Sequence, residues 1–375
     1  MKIGIIDADL LERRNHRFPN LAAMKISGFY KKEGDQVELL LDYKTISDFD
    51  RVYISKVFSE PDETGIFTEE ILKKPNVFYG GTGFFYDKAQ PLSHEIEHQM
   101  PDYHLYKNWL EKQKTRNISA NSLKFYQDYS IGFLTRGCFR HCPFCVNKNS
   151  NQSIPASPLE EFMDKEKKKL CFLDDNFLAC SEWERILESV LNSRKPFQFK
   201  QGLDLRIITK KQIQMLFSGR ILEDTYFAFD DIRDAEVIEK KLELLRTTVE
   251  NPKARIKAYV LCGYDRTGKW DMDFWLNDIE DCFQRIQILM KYQCLPYLMR
   301  YQAYKQSPFR GVYINLARWC NQPAIFAKKS FHEFCVEHKP DSATNRYYTE
   351  FLKEYPHMEK WFHIKFGQMI SRNLE

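Results

Sequence analysis

At 375 residues the chain is long enough for two or three domains, and 43% hydrophobic beside 29% charged residues excludes a largely disordered protein. A net charge of +4 falls well short of a concentrated positive field, so nucleic acid is not indicated as a partner. No apolar run reaches the ~18 residues of a membrane span, and the opening MKIGIIDADLLERR turns acidic too early for a signal peptide, so a cytoplasmic protein with no membrane partner is expected.

Along the chain, Ile3 to Asp7 reads as a buried first strand and Asn20 to Lys32 as an amphipathic helix. Val37 to Leu41, Val52 to Val57 and Val77 to Tyr79 read as further strands of a small α/β sheet. Gly80-Gly81-Thr82-Gly83 leaves the last of these, where open α/β sheets place ligand-binding turns; a tight strand exit is the alternative. His94-Glu95-Ile96-Glu97-His98 matches a zinc-hydrolase pattern, but Pro91 and Pro101 leave room for only about two to three helical turns. A polar surface helix is the better reading there. Tyr103 to Ser122, polar and lysine-containing, reads as a linker that places a boundary near residue 125.

Strand periodicity restarts with Tyr129 to Leu134, followed by Leu170 to Asp174, Phe197 to Gly202, Thr225 to Asp230, Ile256 to Cys262 and Leu295 to Tyr301. Helices are expected over 182–193, 209–218, 234–247 and 277–292, and the Lys165 to Lys169 charge run reads as a solvated face. Strands alternating with crossovers describe a parallel barrel or part of one, whose chemistry belongs at the carboxyl ends of the strands. Segment 306–375, rich in aromatics, reads as a helical extension. The expected domains are therefore 1–125, 126–305 and 306–375.

None of the ten cysteines precedes Cys138. Thr135-Arg136-Gly137-Cys138-Phe139-Arg140-His141-Cys142-Pro143-Phe144-Cys145 then brings three, spaced x3 and x2, just beyond a strand. In a reducing compartment such thiols are metal ligands before they are disulfides. Three thiolates leave one iron of a four-iron cubane without a protein ligand, open to a small molecule. Zinc, completed by Cys171, Cys180 or a histidine, is the other chemistry available to the triplet and would make the chain a non-catalytic metal-binding interaction protein. Cys262, Cys282, Cys294, Cys320 and Cys335 lack close spacing, and Cys282 falls on an apolar face with Ile279, Phe283 and Ile286, as a core thiol would. A second cluster on these later cysteines stays open.

The Cys-x3-Cys-x2-Cys spacing with Phe144 before the last cysteine resembles the signature of the radical S-adenosylmethionine (SAM) superfamily. The resemblance implies a 4Fe-4S cluster on Cys138, Cys142 and Cys145 and S-adenosyl-L-methionine chelated to the open iron. It also implies reductive cleavage to a 5′-deoxyadenosyl radical, an electron from a reductant such as flavodoxin or ferredoxin, and Phe144 lying against the adenine. Leu173-Asp174-Asp175-Asn176-Phe177, Gln201-Gly202-Leu203-Asp204-Leu205-Arg206 and Tyr259-Val260-Leu261-Cys262-Gly263-Tyr264-Asp265 resemble later strands of that barrel. The set is most similar to members with an amino-terminal cobalamin-binding-like domain. The implied fold is α/β: a Rossmann-like (cobalamin-binding-like) domain, a partial (β/α)6 radical SAM barrel and a helical C-terminal tail.

At the implied strand ends Asp174, Asp175, Asn176, Gln201, Asp204, Arg206, Asp230 and Gly263 are candidate cofactor-binding residues. For the polar side chains among them, capping a helix or pairing a neighbour is the alternative. No catalytic residue is assigned, and the substrate is not named by any motif. Methylthiotransferases resemble this barrel but carry a second cluster on amino-terminal cysteines, which residues 1–137 lack. Cobalamin is possible but not favoured: Asp7-Ala8-Asp9-Leu10 lacks the Asp-x-His-x-x-Gly pattern, and the nearest histidine, His16, has no matching glycine. A cobalamin-dependent radical SAM methyltransferase is the alternative activity.

Overall fold

Strand β1 (Lys2–Asp7) is interior to a four-stranded sheet of order β2-β1-β3-β4, with β2 at Gln36–Leu39, β3 at Arg51–Ser55 and β4 at Val77–Gly80. All three pairings are parallel, with Ile3 facing Val37 on one side and Arg51 on the other. The description comes from a computed structural model and covers residues 1–116, 118–222, 224–249 and 255–366. Two compact units divide it, Met1–Phe197 and Gln198–Glu375.

Alternation along the strands puts both sheet faces to use in the first unit. Ile3 and Ile5 pack with Ala23, Met24 and Ile26 of helix α2 (Leu21–Lys32), which follows the short α1 (Ala8–Glu12). Asn20 caps α2 by accepting from the Ala23 N–H. On the opposite face Ile6, Val52 and Ile54 pack with Tyr43, Ile46, Phe49 and Ile71. After β4 come α3 (Thr82–Phe85) and α4 (His94–Glu97), then α5 (Lys107–Thr115) and α6 (Ala120–Gln127). The His-Glu-Ile-Glu-His motif is thus a single turn, and the His98 ring pairs with Glu161 at 2.7 Å.

The stretch expected as a linker is instead part of the core. Tyr103, Leu105, Tyr106, Trp109, Leu123 and Tyr126 join Ile3, Ile5 and α2 in one apolar cluster. The lysines lie on the other faces of α5 and α6, and they dominate the polarity of the sequence without describing the side that packs. Asn117 of that stretch lies outside the described residues.

Beyond α6, β5 (Tyr129–Gly132) pairs in parallel with β8 (Lys169–Phe172), after the antiparallel pair β6 (Thr135–Arg136) and β7 (Ile154–Pro155) has intervened. At Gly132 a Cβ would stand 2.4 Å from the Phe162 ring, so only glycine lets the two approach. Helix α7 (Trp183–Asn192) buries Ile186, Leu187 and Val190, and strand β9 (Phe197–Phe199) spans the boundary between units.

The second unit holds a parallel sheet of order β10-β11-β12, at Thr225–Ala228, Ile256–Cys262 and Leu295–Arg300. Leu203 adds a parallel bridge to Phe227. Helix α8 (Lys210–Ser218) opens on a capping box between Thr209 and Gln212. It is followed by α9 (Ala235–Thr248) and α10 (Met272–Lys291). Helix α10 starts before the expected 277, because Asp271 accepts from the Phe274 N–H and caps it there. Its Phe283 ring lies 5.4 Å from Phe331 and 4.9 Å from Phe362, which anchors the aromatic carboxyl-terminal helices. Those are α11 (Arg310–Cys320), α12 (Pro323–Phe326), α13 (Phe331–Val336), α14 (Ala343–Glu354) and α15 (Glu359–Phe362). Positions 367–375 of the expected tail lie outside the described residues. Among the described residues no helix is long and apolar enough to cross a membrane.

Candidate cofactor site

The three motif cysteines sit on one closed loop. Residues 137–153 leave β6 and return through β7, and the two-residue ladder Thr135↔Pro155 and Arg136↔Ile154 forms the neck. Gly137 opens the loop at φ +92, and a Cβ there would lie 2.3 Å from Ser150 Oγ and 2.4 Å from the Gln152 carbonyl. Both the left-handed backbone and the close approach demand glycine. Inside the loop the Cys145 N–H donates to the Cys142 carbonyl at 2.9 Å, which turns the second and third thiols back on each other. All three cysteines are partly exposed, unlike the seven that follow, which are buried.

N–H groups already point at two of the sulfurs. Cys138 Sγ accepts from the Arg140 N–H at 3.5 Å and from Asn176 Nδ2 at 3.4 Å, and Cys145 Sγ accepts from the Asn147 N–H at 3.4 Å. Such donors stabilise thiolate over thiol and tune iron–sulfur centres. Among the described residues no three His, Cys, Asp or Glu side chains are gathered as a ready metal-ligand group. The fit to a cluster therefore rests on the donor set, three soft ligands on one short loop with N–H groups directed at sulfur.

The run after β8 is wired to that loop. Buried Asp174 accepts from the Thr135 N–H at 2.6 Å, the Thr135 hydroxyl at 2.7 Å and the Leu134 N–H at 3.3 Å. Burial pushes its carboxyl up to about 7, against the pull of the Thr135 hydrogen bonds. Asp175 accepts from the Gly137 N–H at 2.8 Å and from Asn147 Nδ2 at 2.7 Å. These carboxylates bind protein backbone and side chain, the alternative role open to them from sequence. Phe144 is half-buried on the loop, and its carbonyl accepts from the Tyr86 hydroxyl at 3.0 Å. The Asn149 side chain donates to the Asp87 carbonyl at 2.7 Å. Asn147 and Asn149 escaped the sequence reading; the signal was the polar run Asn147-Lys148-Asn149-Ser150-Asn151-Gln152 that starts two residues after the last cysteine.

The amino-terminal sheet has its topological switch point between β1 and β3, where an open α/β sheet takes a ligand. The polar groups beside it are paired within the protein. Asp9 accepts from the Val57 and Phe58 N–H groups at 2.7 and 3.2 Å, which uses the backbone donors at the exit of β3. The Lys56 ammonium lies 2.6 Å from Glu12, whose other oxygen accepts from the Tyr43 hydroxyl at 2.7 Å. At Gly81, with φ +106, a Cβ would stand 2.1 Å from the Lys56 carbonyl. The glycine turn is a tight strand exit pressed on Lys56, the alternative role open to it from sequence.

Asp7, at the end of β1, is fully buried and accepts from the Tyr106 hydroxyl at 2.7 Å. Burial raises its carboxyl from 3.8 to about 7, the Tyr106 hydrogen bond opposing. Because the folded value lies above the unfolded one, its contribution is fully present at pH below ~4 and is lost as pH rises through about 7. The shift corresponds to up to roughly 4 kcal/mol. The urea midpoint of the metal-free full chain should fall between pH 5 and pH 8, and Asp7→Asn should flatten that fall. An unchanged slope in the variant would contradict the assignment.

In the second unit Asp204 caps the turn after Leu203, accepting from the Arg206 N–H at 3.3 Å and Nε at 2.8 Å, and Arg206 Nη1 reaches Asp234 at 2.9 Å. Burial works against the Arg206 charge, but the two carboxylates hold its pKa above the ordinary value. Gln201 is exposed. Asp230, half-buried beyond β10, accepts from the Leu261 N–H at 3.2 Å; burial pushes it up to about 6 while Arg285 pulls it down. Gly263, at φ +75, donates its N–H to Asp278 at 2.8 Å. A left-handed strand exit explains the glycine without a ligand.

No protein-family model matches the chain, and no curated protein matches it. Among solved structures it is similar to the radical S-adenosylmethionine methyltransferase TsrM from Kitasatospora setae, determined with cobalamin and a [4Fe-4S] cluster bound. The TM-score is 0.53 at 11% identity, over 80% of this chain and 74% of that one. It is also similar to OxsB, a cobalamin-dependent S-adenosylmethionine radical enzyme, with aqua-cobalamin bound, at TM-score 0.46, 11% identity, and 75% and 51% coverage of the two chains. At this identity the TsrM likeness establishes the fold: a mixed α/β chain with parallel sheets, shared with a cobalamin-containing radical SAM enzyme.

Proposed function

We propose that this protein is a radical SAM enzyme in which Cys138, Cys142 and Cys145 hold a 4Fe-4S cluster. The observation that carries the reading is the closed loop, with three thiols on one segment and N–H donors aimed at Cys138 and Cys145. A four-iron cluster on three thiolates supplies an open iron that chelates S-adenosylmethionine and an electron that cleaves it to a 5′-deoxyadenosyl radical. On this reading β5 and the strands after it belong to a partial (β/α)6 barrel, with a Rossmann-like domain before it and a helical tail after it. Phe144 sits on the cofactor-binding loop, and a flavodoxin or ferredoxin is the reductant. Asp174 and Asp175 hold the loop; Asp204, Arg206 and Asp230 shape strand ends in the second unit.

The alternative activity, a cobalamin-dependent radical SAM methyltransferase, is favoured by the likeness to TsrM and opposed by the missing Asp-x-His-x-x-Gly pattern after β1. Anaerobic reconstitution with iron and sulfide tests the proposal. The expected product is a brown protein with about four irons per chain that releases 5′-deoxyadenosine from S-adenosylmethionine under reduction. A colourless protein that takes zinc in preference to iron would overturn the reading. Stoichiometric retention of hydroxocobalamin after desalting would promote the methyltransferase.

A further inference from the structure

The dipeptide after β8 holds two carboxylates side by side, but they do different work. Asp174 is buried and secures Leu134 and Thr135, before the loop starts. Asp175 is half-buried and reaches into the loop itself. One of its oxygens accepts from the backbone N–H of Gly137, the residue before Cys138; the other accepts from the side chain of Asn147, two residues after Cys145. A single carboxylate therefore joins the residues that flank the first and last thiols of the triplet. The adjacent Asn176 adds a direct contact, donating Nδ2 to Cys138 Sγ.

We propose that Asp175, acting with Asn147, is a positioning residue for the cysteine loop: it fixes the separation of Cys138 and Cys145 and so preorganises the thiol set for the cluster. The inference rests on the radical SAM reading above. The physical reason is general. Flanking groups that orient metal ligands set affinity almost as strongly as the ligands, because a ligand free to rotate must be ordered at the moment of binding. The β6–β7 neck restrains the ends of the loop, but its interior carries the cysteines on irregular backbone, and the Asp175 bridge crosses that interior. The carboxylate also places a negative charge beside the sulfurs. That charge disfavours the more negative, reduced state of a cluster and shifts its midpoint potential downward.

Three variants of the full chain test this, each reconstituted anaerobically: Asp175→Ala, which removes both acceptors; Asp175→Asn, which keeps one and removes the charge; and Asn147→Ala, which removes one leg and leaves the carboxylate. The readouts are iron retained against a competing chelator, the midpoint potential from an EPR-monitored titration, and hydrogen exchange of 137–153 in the metal-free protein. The expected result is cluster affinity lowered roughly 10–100-fold in Asp175→Ala, with faster exchange confined to the loop. Asn147→Ala should show a smaller loss of the same kind and a potential close to that of the parent, whereas Asp175→Asn should shift the potential upward. If the parent protein holds its cluster and Asp175→Ala holds it equally well, the positioning role is overturned while the radical SAM reading stands. If the parent takes up no iron, the reading falls and the proposal with it. Should Asp175→Ala fail to fold, Asn147→Ala decides alone, and unchanged chelator resistance and loop exchange in it would overturn the proposal.

Discussion

Alanine at Cys138, Cys142 or Cys145 should leave a chain that binds no stable cluster and yields no 5′-deoxyadenosine, whereas Cys282→Ala should retain both. The first three thiols share a loop of ligating spacing and are partly exposed, so iron could reach them. Cys282 is fully buried on α10, where its sulfur accepts from Arg285 Nη2 at 3.3 Å. Its loss empties a small volume in the core and costs stability of about 1 kcal/mol without touching the loop. Iron content, the absorption spectrum and product assays on the four variants decide the matter. A cluster that survives unchanged in Cys142→Ala would sink the site assignment.

The largest stability effect is expected at Arg285. This side chain is buried on α10 and donates to the carbonyls of Phe229 at 3.2 Å and Leu261 at 2.9 Å, which ties the carboxyl end of β11 to the residue just past β10. Burial alone would lower its pKa, yet Cys282, Asp278 and Asp230 around it raise it, so it stays charged at any working pH. Asp278 in turn accepts from the Gly263 N–H and the Tyr313 hydroxyl. Arg285→Met keeps most of the volume but removes the charge beside Asp230 and Asp278 and the donors to the Phe229 and Leu261 carbonyls. A hydrogen bond from a charged donor contributes about 1.5–3 kcal/mol, so losing both carbonyl ties should cost roughly 3 kcal/mol or more. The loss should be smaller at pH 5 than at pH 8, because Asp230 already titrates near 6 and without the guanidinium takes up its proton more readily. Urea titrations of the metal-free chain at both pH values measure this, and a change below about 1 kcal/mol at pH 8 would show that Arg285 is not the tie described.

Much of this fold was legible because period and punctuation agreed. Ile256 to Cys262 was expected as a strand and is one, and the helix expected over 209–218 begins at Lys210 behind its Thr209 cap. The linker reading of 103–122 failed because mean polarity was counted and not its face: Tyr106 and Trp109 are one turn apart and buried, with the lysines elsewhere. The β6–β7 neck left no trace in the sequence, since two residues per strand carry no period. At the site, the cysteines and the Asp174-Asp175-Asn176 run were both visible, but not their connection. Hydrogen bonds between residues 38 apart, such as Gly137 to Asp175, have no local signature, and a carboxylate at a strand end looks the same whether it faces a ligand or a backbone N–H.

The neck also bears on what it costs to close the cysteine loop. A loop whose ends are joined by backbone ladder bonds, with Gly137 seated against Ser150, has its closure entropy met by the protein's own backbone. The three thiols are thereby confined to one short closed segment, with none of them to be fetched from a distant part of the chain. On the proposed reading, closing the loop is separate from holding a cluster, so chelating the metal from a reconstituted protein should leave the β6–β7 ladder protected from hydrogen exchange.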